Sequence, residues 1–458
     1  MRRPGLAVVV AVVLGAPATC PIARIACAQE GTQEAIGQEP PRHVLTLSDV
    51  ERAAQAQQPQ VLVARAATGI AEGQSEQARA PLLPQVTASA SYTRETGNYV
   101  PRPGFVSNGT TAAPVQGWSL SSSFDYWSFG VTGTQLIYDF GQTYKKYSAA
   151  RSTVQAQRAA EQTTRLTIVS AVRRAYFGAW AMRALVDVAR ETLDDQNKHL
   201  GQVQAFVEVG TQPPIALAQQ RAAVANARVQ LISAQNNYET AKAQLNQAAG
   251  IVGGTDYEVA DDDLAPVEDE DQPLSTLVAR AMAARPEFAT LQRQRDAQDA
   301  TLSAARGGYG PTLSALAGAT DGGTALDGLV PNWDAEVLLT WPIFQGGLTR
   351  GQVHQAEAGL QSIDAQRGLE HLQVQLDVDS ARLAIRAAKA TIGASDDALT
   401  SAREQLRLAE QRYATGVGSI IELTDAQVAY TSAAAQVVQA RYGLATARAQ
   451  LLAALGRT

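Results

Sequence analysis

Residues 124–141 read FDYWSFGVTGTQLIYDFG, and residues 333–347 read WDAEVLLTWPIFQGG. In the first stretch Trp127, Phe129, Val131 and Ile137 take odd positions, and Ser128, Gly130, Thr132 and Thr134 take even ones. In the second, Trp333, Ala335, Val337, Leu339, Trp341 and Ile343 share one face, opposite Asp334, Glu336 and Thr340. Such period-two alternation is the pattern of a β-strand with one apolar and one polar face. Each strand runs into glycine, Gly141 and Gly347, offset by 206 residues. The same offset carries Gly210 to Gly416 and Gly250 to Gly456. Upstream, Gln58-Pro59 recurs as Arg285-Pro286 and Pro84 as Pro311, both offset by 227. Glycine and proline punctuate backbone structure, so the chain carries one element order twice.

Working outward, each copy opens with a helix, kinked at Pro59 in the first. An extended segment from Pro84 (Gln85 to Tyr92), a loop and the quoted strand follow. The loop of copy one, Glu95 to Ser123, is rich in Gly, Pro, Asn and Thr. After the strand, the 69 residues from Gly141 to Gly210, and again from Gly347 to Gly416, read as one helix. At 1.5 Å per residue such a helix is roughly 100 Å long. A shorter helix then returns, with Leu217, Val224, Leu231, Tyr238 and Leu245 seven apart, and Leu423, Tyr430, Val437, Leu444 and Leu451 at the same places in the copy. A softer stripe, Ile215, Ala222, Val229, Asn236, Ala243 and Ile421, Val428, Ala435, Tyr442, Ala449, lies about 200° away. Two packing sides suggest a ring or sheet of helices, and the seven-residue repeat implies left-handed coiling. The return helix and the proline-to-proline helix together match the long one, so they are expected to stack end to end beside it.

The expected organisation is a signal peptide over 1–28, an extended arm over 29–46, and a first repeat over 47–250. An acidic linker over 251–273 and a second repeat over 274–458 follow. The leader has a basic start at Arg2-Arg3, an apolar run, and Ala26-Cys27-Ala28 as a small-x-small cleavage site. Pro17 and Arg24 stand three before Cys20 and Cys27, where lipidation needs an aliphatic residue. Cleavage removes both cysteines, which excludes disulfides and thiolate chemistry. A formal charge of −6 leaves no basic footprint for nucleic acid. The run Asp261-Asp262-Asp263 and Glu268-Asp269-Glu270-Asp271 reads as a solvated linker, without EF-hand spacing. His43, His199, His354 and His371 are scattered, so no metal and no cofactor is expected. No nucleophile elbow is present, so no enzyme is expected.

Apolar-out, polar-in strands behind an export signal fit an outer-membrane barrel. Four strands cannot close one, because the smallest have about eight and open edges are not tolerated in lipid. The barrel must be shared between chains. The alternative is a structural trimeric envelope coiled coil without transport, which would not need alternating strands with aromatic ends. A soluble periplasmic adaptor usually has one hairpin, and the duplication leaves no room for its other modules.

Several motifs, in order and duplicated, carry a resemblance. They are Arg285-Pro286-Glu287-Phe288, Tyr138-Asp139-Phe140-Gly141, Trp341-Pro342-Ile343-Phe344-Gln345-Gly346-Gly347, and Tyr413-Ala414-Thr415-Gly416 followed by Glu422-Leu423-Thr424-Asp425-Ala426-Gln427. Through them the chain resembles the TolC-like outer membrane efflux protein family. The resemblance implies a mostly α protein with a membrane β-barrel: a homotrimer with a 12-stranded barrel continued by a 12-helix α-barrel in the periplasm. It would conduct substrate passively outward from a periplasmic adaptor and an inner-membrane pump or ABC transporter. Val209, Gly210, Thr211, Gly416, Val417, Gly418 and Ser419 are the implied adaptor contacts. Glu422, Asp425 and Tyr413 are the implied periplasmic gate, with Gly418 standing where relatives can carry a basic residue. Thr132, Thr134 and Thr340 are expected to line the barrel lumen.

Overall fold

The computed structural model describes residues 43–96, 123–262, 265–268 and 270–457. The signal peptide, most of the N-terminal arm and the long loop of copy one lie outside the described residues.

The duplication reappears element by element. Copy one comprises α1 (Leu47–Gln57), α2 (Pro59–Arg79), β2 (Gln85–Thr96), β3 (Ser123–Tyr138), α3 (Gln142–Glu208) and α4 (Pro214–Ala249). Copy two comprises α5 (Leu274–Ala284), α6 (Pro286–Gly307), β5 (Thr312–Gly323), β6 (Val330–Thr340), α7 (Leu348–Ala414) and α8 (Ile420–Ala454). Two short strands, β1 (His43–Leu45) and β4 (Tyr257–Val259), pair in parallel. The 227 offset superposes α1 on α5 and β2 on β5, and the 206 offset superposes α3 on α7, residue for residue.

Local chemistry explains the boundaries. Thr46 caps α1 in a reciprocal capping box with Asp49. Pro59 and Pro286 stand at the first turns of α2 and α6, where a missing N–H costs nothing. Gly141 and Gly347 start the long helices in the left-handed conformation, φ 78° and 88°, which glycine adopts without a Cβ penalty.

β2, β3, β5 and β6 form one antiparallel sheet in that order. The register separates two faces. On one face Ala88, Ala90 and Tyr92 pair with Val131, Phe129 and Trp127, Val131 pairs with Ala319, and Ala315, Ala317 and Ala319 pair with Val337, Ala335 and Trp333, with Asp321 opposite Phe129 on the same face. The other face aligns Thr87, Ser89 and Ser91 with Thr132, Gly130 and Ser128, and then with Gly318 and Thr320, which face Asp334 and Asn332. β6 ends at Thr340, so Trp341 and Ile343, expected on its apolar face, lie beyond it. Pro342 lacks the N–H that would continue the ladder, and Trp341 instead donates its indole N–H to the Tyr309 carbonyl at 3.2 Å.

In the helical part α3 lies between α2 and α4 on one side and α6 and α8 on the other, and α7 flanks α6 and α8. The expected end-to-end stacking is present. The α4 C-terminus meets the α1–α2 break, where Gln58 Nε2 donates to the carbonyls of Gln247 (3.1 Å) and Ala248 (2.8 Å). In copy two Arg285 does the same to Ala454, at 2.7 Å. Gly250, at φ 70°, is required there, because a Cβ would sit 2.8 Å from Gln58 Cα.

The acidic segment is a correction. Three of its carboxylates are docked onto the long helices rather than solvated. Asp261 accepts from Trp180 Nε1 at 2.6 Å. Asp262 accepts from the Tyr176 hydroxyl at 3.0 Å and from the Leu47 amide at 3.0 Å. Glu270 is buried against Arg448 (3.2 Å) and Lys389 (2.7 Å). A charge run reads as solvated only while its partners are far away in sequence, and these stand 81 to 215 residues off. Asp263 and Asp269 lie outside the described residues.

Candidate functional site: the helical tip

The two inter-helix turns stand at the same end of the helical part, roughly 100 Å of α-helix from the sheet. In the first, Gly210 is left-handed at φ 75°, and Thr211 returns both its amide and its hydroxyl to the Phe206 carbonyl at 2.9 Å. In the second, Gly416 is left-handed at φ 76°, and Val417 and Gly418 donate to Arg412 O at 3.0 and 2.8 Å. A Cβ on Gly418 would stand 3.0 Å from Arg412 C and Tyr413 N. Ser419 caps α8 by accepting from the Glu422 amide at 3.1 Å. Val209 and Val417 are 72% and 75% exposed. Each turn thus leaves one valine bare at this end of the helical part.

Behind the turns Val203, Ala216, Leu406, Ala409, Tyr413, Leu423 and Ala426 form a buried cluster. Tyr413 is 2% exposed and stands edge-on to Phe206 with centroids 6.0 Å apart. Its hydroxyl is buried without a hydrogen-bond partner among the described residues, and burial pushes its pKa up. Of the three expected gate residues, then, Tyr413 is packed inside the hairpin pair. Glu422 and Asp425 are both exposed, in the first turns of α8. Glu422 Oε1 lies 3.3 Å from Arg412 Nε. This pairing joins the last turn of α7 to the first turn of α8, and the sequence did not reveal it because Arg412 precedes the turn.

Sequence reasoning missed a polar seam where α3 meets α4, α7 and α8. Gln196, Gln220 and Gln427 are buried and linked in series. His199 Nε2 lies 3.6 Å from Glu410 Oε1. A glutamine at any one of these places reads as a solvent-facing residue until its neighbour is known.

At the far end Thr132 and Thr134 lie on the polar face of the sheet, and Thr340, opposite Thr312, shares it. Trp127 and Tyr92 meet on the apolar face, centroids 4.6 Å apart, beside Asp125, to which Tyr92 donates at 2.9 Å. Aromatic rings next to a polar rim are the arrangement of an interfacial girdle. Among the described residues no group of His, Cys, Asp and Glu is placed to hold a metal ion. No described helix is long and apolar enough to cross a membrane.

Comparison with known proteins agrees in sequence and in fold. The family model for the outer membrane efflux protein matches residues 51–251 and 277–457. The outer membrane protein TolC of Escherichia coli is 25% identical over 395 residues, covering 83% of this chain and 76% of TolC. The toluene efflux pump outer membrane protein TtgF of Pseudomonas putida is 27% identical over 400 residues, 82% of this chain and 76% of TtgF. The fold matches the crystal structure of the Campylobacter jejuni CmeC outer membrane channel with a TM-score of 0.75 at 19% identity, over 90% of this chain and 85% of that one. With both copies matched, the chain is an outer membrane protein of efflux, a member of the outer membrane efflux protein family.

Proposed function

We propose that three copies of this chain close into one ring, a twelve-stranded barrel in the outer membrane continued by a twelve-helix tunnel in the periplasm. The ring serves as the passive exit duct of a tripartite efflux pump or a type I secretion system. It does no catalysis and needs no cofactor or metal. The observation that carries the reading is that both flanks of the chain are open. Among the described residues the sheet ends on β2 and β6, each with one unpaired edge, and such edges are not tolerated in lipid. On the flank of β6, α7 exposes Leu369, Leu372, Leu376 and Leu383. On the flank of β2, α2 exposes Leu62, Val63 and Ile70, and α4 exposes Ile215, Val229 and Ile232. The softer α4 stripe is exposed along its length, whereas of the α8 stripe Ala449 is buried and Ala435 and Tyr442 are half-buried, with Ile421 and Val428 exposed. One flank therefore fits the other in a head-to-tail ring.

Within this reading the signal peptide of residues 1–28 directs export, and the two repeats each supply half of a protomer's wall. Val209, Gly210, Thr211, Gly416, Val417, Gly418 and Ser419 meet a periplasmic adaptor, which joins the duct to an inner-membrane pump. Glu422 and Asp425 place acids around the entrance and favour cations there, with Tyr413 bracing the hairpin behind them. Thr132, Thr134 and Thr340 line the wet barrel. The test is native mass spectrometry of the detergent-extracted protein beside conductance in planar bilayers. A monomer without conductance would sink the proposal.

A further inference from the structure

Just below the sheet, the α2–α3 seam of copy one sets two arginines side by side. α2 runs toward the sheet and α3 away from it, and the pairs they make fix an antiparallel register. Thr68 donates to Glu161 at 3.4 Å, and Arg158 pairs with Glu72 at 2.7 Å. Two turns nearer the sheet, that register sets Arg79 opposite Arg151. Both are exposed, and neither has a carboxylate within ion-pair reach among the described residues. Residues 142–160 of α3 carry Lys145, Lys146, Arg151 and Arg158 and no acid.

The internal repeat shows what this place holds when an ion pair closes it. The 227 offset carries Arg79 to Arg306, and the 206 offset carries Arg151 to Glu357. In copy two these residues pair at 3.0 Å. Copy one keeps the first arginine and has a second arginine in place of the acid. Neighbouring guanidiniums repel each other, whereas a phosphate can accept hydrogen bonds from both forks at once.

Height and direction say which phosphate. Where strands give way to helices, Tyr138, Phe140, Trp341 and Phe344 are 55%, 51%, 63% and 89% exposed. Trp333 and Trp341 are separated by about 27 Å of strand at ~3.4 Å per residue, close to the apolar band of roughly 25 Å between two girdles. Arg151 lies roughly 13 Å along α3 from its first residue, Gln142. Its side chain leans toward the helix N-terminus, which is the membrane end, and a long basic stem reaches further up. The headgroup layer is about 5–7 Å deep on each side of the hydrocarbon. Val154 is buried and bracketed by Arg158 and Glu161, which both bond α2, so it faces α2. Ala156, also buried, lies about 200° further round and faces the opposite flank. Arg151 and Tyr144 fall within that wide arc, and Lys146 in the remaining arc of about 160°. In a closed ring the narrower arc faces the bore, so Arg151 and Tyr144 face outward.

We infer that Arg79 and Arg151 hold the phosphate of an anionic phospholipid in the periplasmic leaflet of the outer membrane, one lipid per chain. The outward assignment rests on the ring proposed above. Tyr144, 60% exposed and one heptad nearer the membrane on the same face, stands where the glycerol and upper acyl chain would lie. A zwitterionic headgroup brings an ammonium that the two arginines repel, so the site favours lipids whose only headgroup charge is the phosphate. The ring then carries lipid sites on the copy-one seams and closed ion pairs on the copy-two seams.

The test is native mass spectrometry of the full mature chain, extracted in detergent and mixed with equimolar phosphatidylglycerol and phosphatidylcholine. The unaltered protein is expected to retain one phosphatidylglycerol per chain in preference to phosphatidylcholine. Arg151→Gln should lower that preference about five-fold, the effect of one basic residue near an anionic surface. Arg151→Glu, which restores the pairing of copy two, should abolish it. Glu357→Arg should open a second site per chain and double the phosphatidylglycerol retained. A trimer that retains both lipids equally, keeps its preference in Arg151→Glu, or gains nothing in Glu357→Arg overturns the inference. So does release of the lipid by excess inorganic phosphate, which would mark a site for a free anion. A monomeric mass overturns the ring reading instead, so the two failures are distinct.

Discussion

The ring reading makes a register prediction between chains. Within one chain β3 pairs with β5 such that Thr132 faces Gly318 and Val131 faces Ala319. Carried through the 206 and 227 offsets, that register sets β6 of one copy against β2 of the next, with Leu338 facing Ser91 and Val337 facing Tyr92. Apolar face then meets apolar face across the joint, which a one-residue slip would invert. The driving force is large. β6 spans 11 residues and β2 spans 12, and about half of the backbone groups of an edge strand point outward. Each group left unmet in hydrocarbon costs several kcal/mol, so one open edge costs on the order of tens of kcal/mol in lipid. The perturbation is Leu338→Cys combined with Ser91→Cys. Directly opposed residues have Cα atoms about 4.5–5.5 Å apart, inside the disulfide range of about 4.4–6.8 Å. Partners displaced by two residues stand about 7–8 Å apart, outside it. Oxidation in isolated envelopes should therefore yield covalent dimers and trimers and no larger species. Leu338→Cys with Ser89→Cys or Thr93→Cys should yield none. Efficient linkage of a displaced pair, or none from the direct pair in folded protein, would refute the carried-over register.

Four further outcomes are expected. Gly250→Ala forces a Cβ against Gln58 at a left-handed φ and should destabilise by roughly 1–2 kcal/mol or more, read as a lowered Tm. Tyr413→Phe removes a buried hydroxyl with no partner among the described residues. It should leave Tm unchanged or raise it, since such an orphan costs about 1–3 kcal/mol, whereas Tyr413→Ala should cost about 3–5 kcal/mol through the cavity it leaves. Burial pushes the Glu270 carboxyl up, but Lys389 and Arg448 outweigh that and hold it below the usual carboxylate range. Its folded pKa is thus depressed, so its stabilisation is full above the ordinary carboxylate value and fades as pH falls through the lower folded one; Glu270→Gln should flatten Tm against pH in that window. Glu422→Ala with Asp425→Ala should lower the cation preference of the channel, and an unchanged conductance and preference would remove the acids from the entrance.

What the sequence determined alone is local and repetitive. Left-handed glycines and helix-starting prolines act within a turn of themselves, so Gly141, Pro286 and Gly416 mark their boundaries without knowledge of the fold. Strand alternation is equally local, which is why Trp127 to Ile137 already shows two faces. Duplication then adds a second reading of every boundary, and helix lengths add to give the stacked columns. Partners distant in sequence were not legible. Asp262 reads as solvated until Tyr176 is brought to it, Glu422 reads as a bare acid until Arg412 closes over the turn, and Gln196 reads as surface until Gln220 and Gln427 bury it. The reason is physical. Backbone preference is set by each residue and its neighbours, whereas the cost of a buried charge or amide depends on what the tertiary structure packs against it.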